Sequence, residues 1–341
     1  MLSYRQKAGF VNRELSNSLP PPLFWRNLTE MGFFQMANTA FLCSGQGAQY
    51  PGMGKEFYEN FPQARQVYEC GGDILGVDLA KVSFEGTEEE LGRTAVSQPA
   101  IFACSMAAWE AARQLCDPAA VAGHSLGEYA ALTIAGAWTL EDGFRLIGAR
   151  AAAMQQAADQ NPGAMFAILG SDEGTVGQVC EQTPGYVLPV NFNSPAQTVI
   201  AGELEPAQAA AATLAEMGFK AVRLAVSSGF HSQLMASASQ QFAQATASIP
   251  MAEPKLPFYC NLTGGRMAPG TDLHAYLAQH IVSPVRFHQE VAAMLETGVD
   301  TFVELGPNKV LTTLVKRNFK QAKAYNVENL KTLEKWKATL A

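Results

Sequence analysis

The segment Gly123-His124-Ser125-Leu126-Gly127 has the form G-x-S-x-G, a spacing that suits a nucleophilic serine. Small residues on both sides permit a sharp strand-to-helix turn, which exposes the serine Oγ while N–H groups at the helix start face the same point. A turn with a merely capping serine would spell the same letters. The neighbours favour the nucleophile: residues 119–122 are a short apolar run, and Leu126, Tyr129, Ala130 and Ile134 follow at helical spacing. A serine hydroxyl attacks only when a base takes its proton, and the chain has five histidines. His231, in Ser228-Gly229-Phe230-His231-Ser232, lies on a loop where the chain leaves its middle region. A loop at such a junction is where a cleft would place its base. The plainer reading is a turn histidine held by its neighbours. His124 is expected to point away from the Oγ, and His274, His280 and His288 lie among helix formers as solvated or satisfied side chains. No carboxylate presents itself as a third member, so a main-chain carbonyl is expected to hold the other ring N–H of the base.

Two further positions bear on that chemistry. The loop Ser44-Gly45-Gln46-Gly47-Ala48-Gln49 follows an apolar run. It lacks the lysine and spacing of a phosphate loop. The backbone N–H of Gln46, with that of Leu126, is the more useful reading as an oxyanion hole for a tetrahedral intermediate. Arg150 sits about 70° from the centre of an apolar helical stripe, counting roughly 100° per residue. A side chain there either snorkels over apolar surface or offers a guanidinium fork to a substrate carboxylate, and its position alone does not choose between the two.

The elements that must hold these residues are readable. Thr39–Cys43, residues 119–122 and Thr301–Leu305 are short runs apolar on both faces, each ending at or near glycine, as buried parallel strands do. Residues 141–159 place Phe144, Ile147, Ala151, Met154 and Ala158 on one helical stripe. The alternation predicts an α/β sheet covered on both faces. Residues 164–226 read instead as strand, helix, strand, strand, helix, strand, a ferredoxin-like unit of about 65 residues. The expected organisation is a large α/β subdomain from 37–160 and 229–341, with a small subdomain inserted at 161–228.

Residues 1–36, with Pro20-Pro21-Pro22 and no steady period, read as an appended leader, with Met31 or Met36 as alternative starts. Arg5, Lys7, Arg13 and Arg26 would suit an organellar transit peptide, which Glu14 and Glu30 oppose. The 341 residues are 48% apolar and 16% charged, enough for a large core, and their net charge of −7 gives no pointer to nucleic acid or an anionic membrane. Six scattered cysteines without a CxxC pair suit a reduced compartment. No apolar run reaches the ~20 residues of a membrane span. A soluble cytoplasmic protein, monomeric and acting on small molecules or proteins, is expected.

Taken together, these residues resemble the malonyl-CoA:acyl carrier protein transacylases and the acyltransferase domains of polyketide synthases. The matching pieces are GQGAQYPGMG (45–54), VSQPAIFA (96–103), GHSLGEYAAL (123–132), the Arg150 helix, NFNSPAQTVIAG (191–202), GFHSQLM (229–235) and ELGPNKVL (304–311), in family order. The resemblance implies a hydrolase-like parallel-sheet α/β core with a ferredoxin-like (βαββαβ) insert. It implies that Ser125 carries the malonyl group, that His231 is general base and then acid, and that Arg150 pairs with the malonyl carboxylate. Gln46 and Leu126 would form the oxyanion hole, and the main-chain carbonyl of His280 would orient His231. Malonyl-CoA and an acyl carrier protein would be the partners, with no metal and no cofactor. Phe230-His231-Ser232 and Ser125-Leu126 resemble malonyl-selective rather than methylmalonyl-selective members. Where members carry Phe-Pro before the GQG, this chain has Cys43-Ser44, which predicts a less stiff backbone ahead of Gln46. Eight basic residues, from Lys309 to Lys337, form either a carrier-steering patch or a solvated face. The rival activities are an acyl-thioester hydrolase using the same serine and histidine, and a catalytically idle docking subunit.

Overall fold

A computed structural model describes residues 38–340; the expected leader lies outside them. Strand β1 (Thr39–Cys43) is buried along its whole length. Its side chains alternate between two cores: Phe41 and Cys43 enter one hydrophobic cluster, Ala40 and Leu42 the other. This is the period of two that a strand buried on both faces requires. β2 (Ala120–Gly123) and the strand Thr301–Leu305 flank β1 in parallel register, with Cys43 opposite both Gly123 and Leu305. The carboxyl ends of all three strands therefore lie level, which is where open α/β sheets assemble their sites.

The second sheet is antiparallel. It comprises β3 (Gly163–Leu169), β4 (Val187–Ser194), β5 (Gln197–Glu203) and β6 (Lys220–Arg223), in the spatial order β4-β5-β3-β6. With helices Glu173–Gln182 and Leu204–Glu216 between the strands, this is the ferredoxin-like order expected. Ala164, Ile168 and Ile200 face those helices, whereas Met165, Ala167, Val199 and Ala201 belong to the main core. One face of the small sheet thus joins the larger of the two clusters that β1 divides, and the other face forms a cluster of its own with its helices. Parallel bridging of Asn191 with Val285 ties the small sheet to the segment after helix Leu273–His280.

A short hairpin follows in the large part, β7 (Tyr259–Cys260) with β8 (Gly265–Arg266). The strand Thr301–Leu305 becomes β9, and β10 (Lys323–Val327) extends the sheet beyond it, giving β10-β9-β1-β2. β10 was not expected from the sequence: Lys-Ala-Tyr-Asn-Val has one polar edge and no continuous apolar run. The eight basic residues near it are all exposed, and Lys337 meets Glu334 at 3.2 Å, as a solvated face does. Among the described residues no helix is long and apolar enough to cross a membrane.

Candidate active site

The turn from β2 into helix Gly127–Ile134 is held by contacts that only glycine permits. A Cβ on Gly123 would lie 2.1 Å from the Gly127 carbonyl carbon, and one on Gly127 would lie 2.1 Å from the Cys43 carbonyl oxygen. Strand and helix backbones therefore touch directly, and the chain must reverse at Ser125, whose φ is +55°. A non-glycine residue in that region is held only by its surroundings, and such residues concentrate at functional sites. His231 has the same left-handed backbone, φ +61°. Its loop is fastened by Ser228 Oγ donating to Asn161 O at 2.6 Å and by Ser232 Oγ donating to Gly229 O at 2.5 Å.

The two strained residues meet. Ser125 Oγ lies 2.7 Å from His231 Nε2. On the other side of the ring, Nδ1 is 2.9 Å from Ser283 O and 3.2 Å from His280 O. Both are acceptors, so the proton sits on Nδ1 and Nε2 is left free to accept the serine hydroxyl. Burial, with the Arg150 guanidinium next, lowers the His231 pKa to about 3, so the ring is a neutral base. The carbonyl expected from the segment containing His280 is present, but Ser283 supplies the shorter contact. The chain bends after helix Leu273–His280, where Ser283-Pro284 marks a helix stop, but residue types do not say which carbonyl the bend aims at the ring.

Arg150, on helix Leu140–Gln160, is almost fully buried, and its terminal nitrogen donates to Ser125 Oγ at 3.0 Å. The guanidinium also lies over the Tyr129 ring at 5.5 Å. Snorkelling is thereby excluded. Among the described residues no carboxylate comes within 4 Å of it, and its Nε has no hydrogen-bond partner. Arg145, five residues earlier on the same helix, is half exposed and pairs with Asp142 at 2.6 Å.

The N–H of Ser125 itself is taken, donating to Asn261 Oδ1 at 2.8 Å. Among the described residues, neither Gln46 N–H nor Leu126 N–H has an acceptor, so both remain as donors at the ends of β1 and β2. Ahead of Gln46, where Cys43-Ser44 predicts a less stiff backbone, Ser44 is buried and hydrogen-bonded to the strand alongside. Its Oγ lies 3.2 Å from Glu304 Oε1, and its N–H donates to Leu305 O. A buried hydroxyl anchored to the next strand takes the place of a rigid ring. His124 turns away from the Oγ as expected, with Nε2 2.8 Å from Asn193 Oδ1 in β4.

Sequence reasoning missed the polar layer under the serine. Glu128, Asn261, Tyr276, His280 and Glu290 are buried there together. Tyr276 OH meets both Glu128 oxygens at 2.7 and 2.8 Å, and Asn261 N–H donates to Glu128 Oε1 at 2.6 Å. Burial pushes the Glu128 pKa up to about 8 and raises that of Glu290 well above the usual carboxylate range.

A neutral base on a serine, with free N–H donors beside it and a buried cation against the nucleophile, is the equipment of acyl transfer. Residues 40–338 match the acyl transferase domain family, and the chain belongs to it. The protein is an acyltransferase. It is 36% identical over 304 residues to a malonyl-CoA–acyl carrier protein transacylase of Bacillus subtilis (strain 168), covering 88% of this chain and 96% of that one. It is similar in structure to the malonyl-CoA:acyl carrier protein transacylase of Xanthomonas oryzae pv. oryzae, with TM-score 0.85 and 37% identity over 89% of this chain and 98% of that one. A malonyl-transacylase solved with its type II polyketide acyl-carrier protein aligns with TM-score 0.84 and 34% identity, over 89% of this chain and 99% of that one.

Proposed function

We propose that this acyltransferase moves a malonyl group from coenzyme A to the phosphopantetheine thiol of an acyl carrier protein by way of an ester on Ser125. The observation that carries the reading is Arg150: a buried guanidinium 3.0 Å from Ser125 Oγ, with no carboxylate of the protein within 4 Å among the described residues. A buried cation without a partner is costly, and a planar donor fork matches the two oxygens of a carboxylate. Malonyl carries that carboxylate; a plain acyl chain does not.

In the first half-reaction Ser125 Oγ attacks the thioester carbonyl while its proton passes to His231 Nε2. The N–H groups of Gln46 and Leu126 take the oxyanion. Collapse breaks the carbon–sulfur bond, and the imidazolium returns its proton to the departing sulfur. In the second half the carrier thiol gives its proton to His231 and its sulfur attacks the ester carbonyl; the ester carbon–oxygen bond then breaks and the imidazolium returns that proton to Ser125 Oγ. Both halves balance with no cofactor. The carbonyls of Ser283 and His280 fix the tautomer through both, and the carboxylate of the bound malonyl group offsets the Arg150 charge that otherwise opposes the imidazolium.

Hydrolysis by the same pair has less support, because a thioester hydrolase handling plain acyl chains gains nothing from burying Arg150, and the relatives named above are transacylases. We also read the protein as a cytoplasmic monomer acting without nucleic acid or membrane; the net charge of −7 supports only the exclusion of polyanionic partners. Incubation with malonyl-CoA and a phosphopantetheinylated carrier should place malonyl on the carrier thiol. Free malonate as the main product would overturn the proposal.

A further inference from the structure

Asn261 lies just after β7, outside every motif the sequence offered, yet it is fully buried and all its polar atoms are engaged. Its Oδ1 accepts the Ser125 N–H at 2.8 Å and lies 3.0 Å from His280 Nε2. Its Nδ2 donates to Gly123 O at 2.7 Å and to Glu290 Oε1 at 2.6 Å. Its own N–H donates to Glu128 Oε1, and its carbonyl receives Arg286 N–H at 3.0 Å.

These bonds close a ring through the reacting pair. Ser125 Oγ meets His231 Nε2, His231 Nδ1 meets the His280 carbonyl, His280 Nε2 meets Asn261 Oδ1, and Asn261 Oδ1 meets Ser125 N–H. Because Oδ1 is only an acceptor, His280 must carry its proton on Nε2. The Arg286 bond closes the far side of the same bend, which also holds the Ser283 carbonyl. Val285 is pinned there by donating to Val190 O in β4. A serine held at positive φ and a base held by two carbonyls 49 and 52 residues further on thus share one fixed point.

We propose that Asn261 is a positioning residue of the acyl transfer: its side-chain oxygen joins the nucleophile's backbone to the carbonyls that orient the base, so one buried amide sets the distance between Ser125 and His231. It touches no substrate. By occupying the Ser125 N–H it also leaves Leu126, and not Ser125, as the donor for the oxyanion on this side. The inference rests on Ser125 and His231 being the reacting pair, but not on the identity of the acyl group.

The test therefore uses a probe blind to malonyl. A fluorophosphonate reacts when Ser125 Oγ attacks phosphorus, fluoride leaves and the serine proton passes to His231. Asn261→Ala should lower its second-order rate by about 10²-fold, the loss expected when reacting groups are displaced by about 1 Å. The rate is normalised to the sites titrated at completion, so lost folding does not count as lost reactivity. Asn261→Asp keeps the oxygen joint, and its carboxyl, buried beside Glu290, stays protonated and still donates; it should recover the rate to within about fivefold. If Asn261→Ala does not fold, His280→Leu removes the other arm of the joint while keeping its main-chain carbonyl, and should cost about tenfold. Wild-type rates in whichever of Asn261→Ala and His280→Leu folds, even with lowered Tm, would overturn the proposal. A wild-type protein that takes the probe but no malonyl would instead overturn the substrate reading and leave this one standing.

Discussion

Replacing Arg150 with alanine separates its two possible services, to the substrate and to the fold. In the wild type the guanidinium is buried, 3.0 Å from Ser125 Oγ and without a protein carboxylate within 4 Å among the described residues. Bound malonyl would complete a buried, charge-assisted pair there. Breaking such a pair by removing one member costs about 3–5 kcal/mol. At about 1.4 kcal/mol per decade that is two to nearly four orders of magnitude in kcat/KM for acylation by malonyl-CoA. Acetyl-CoA has no carboxylate to lose. For it, Arg150→Ala removes one hydrogen bond to the Oγ but also lifts the charge that depresses the basicity of His231. The opposing effects should leave acetylation within about tenfold of wild type. Single-turnover acylation of Ser125 with each thioester, followed by intact mass, gives both numbers. Arg150→Met, which fills the space without charge, should match the wild-type Tm or exceed it, since an unpaired buried cation is removed. Equal losses for malonyl and acetyl would refute the reasoning, and so would a Tm that falls with Arg150→Met as far as activity does.

Further outcomes follow from other parts of the site. Since the free-enzyme His231 pKa is lowered to about 3, kcat/KM for malonylation should stay flat from pH 8 down to pH 5; an acid limb near pH 6.5 would contradict the assigned environment. Glu290 has its pKa raised by burial, so the folded state holds a proton that the unfolded state releases, and its contribution to stability is lost as pH rises above about 4.5. Glu290→Gln should therefore gain stability relative to wild type between pH 5 and pH 8, as read by urea melts, and a difference that does not change with pH would show that the group titrates normally. Gly123→Ala puts a Cβ within 2.1 Å of the Gly127 backbone, and should abolish soluble folded protein, whereas retained folding with full activity would mean the turn is not as tight as described.

Much of this site was legible because its parts depend on local rules. β1 and β9 were read without error and β2 to within one residue, since continuous apolar runs ending at glycine have few other uses in an α/β chain. The Ser125 turn was legible for the same reason: sharp reversal demands glycine on both sides. His231 was found by elimination and position, but its positive φ was not, because no glycine or asparagine stands there. Arg150 could be placed on the flank of a stripe and no further. Whether a flanking arginine lies over the core or points into it depends on the tertiary packing around its helix, here the Tyr129 ring that the guanidinium covers, and no residue type announces that packing. Asn261 left no trace at all. Its partner Ser125 is 136 residues earlier, and a single asparagine before Leu-Thr-Gly-Gly reads as an ordinary turn residue. Ser283 was missed likewise, because a carbonyl is common to every residue, and only the tertiary bend aims it.

The central claim is that Ser125, served by His231, carries the acyl group in transit. Mixing the protein with malonyl-CoA alone, quenching in acid and weighing the intact chain tests it most directly. One malonyl mass per chain should appear, located on Ser125 by fragmentation, absent from Ser125→Ala and cleared when a carrier thiol is added. An unmodified wild-type chain under saturating thioester, or a malonyl group that persists in Ser125→Ala, would contradict the account.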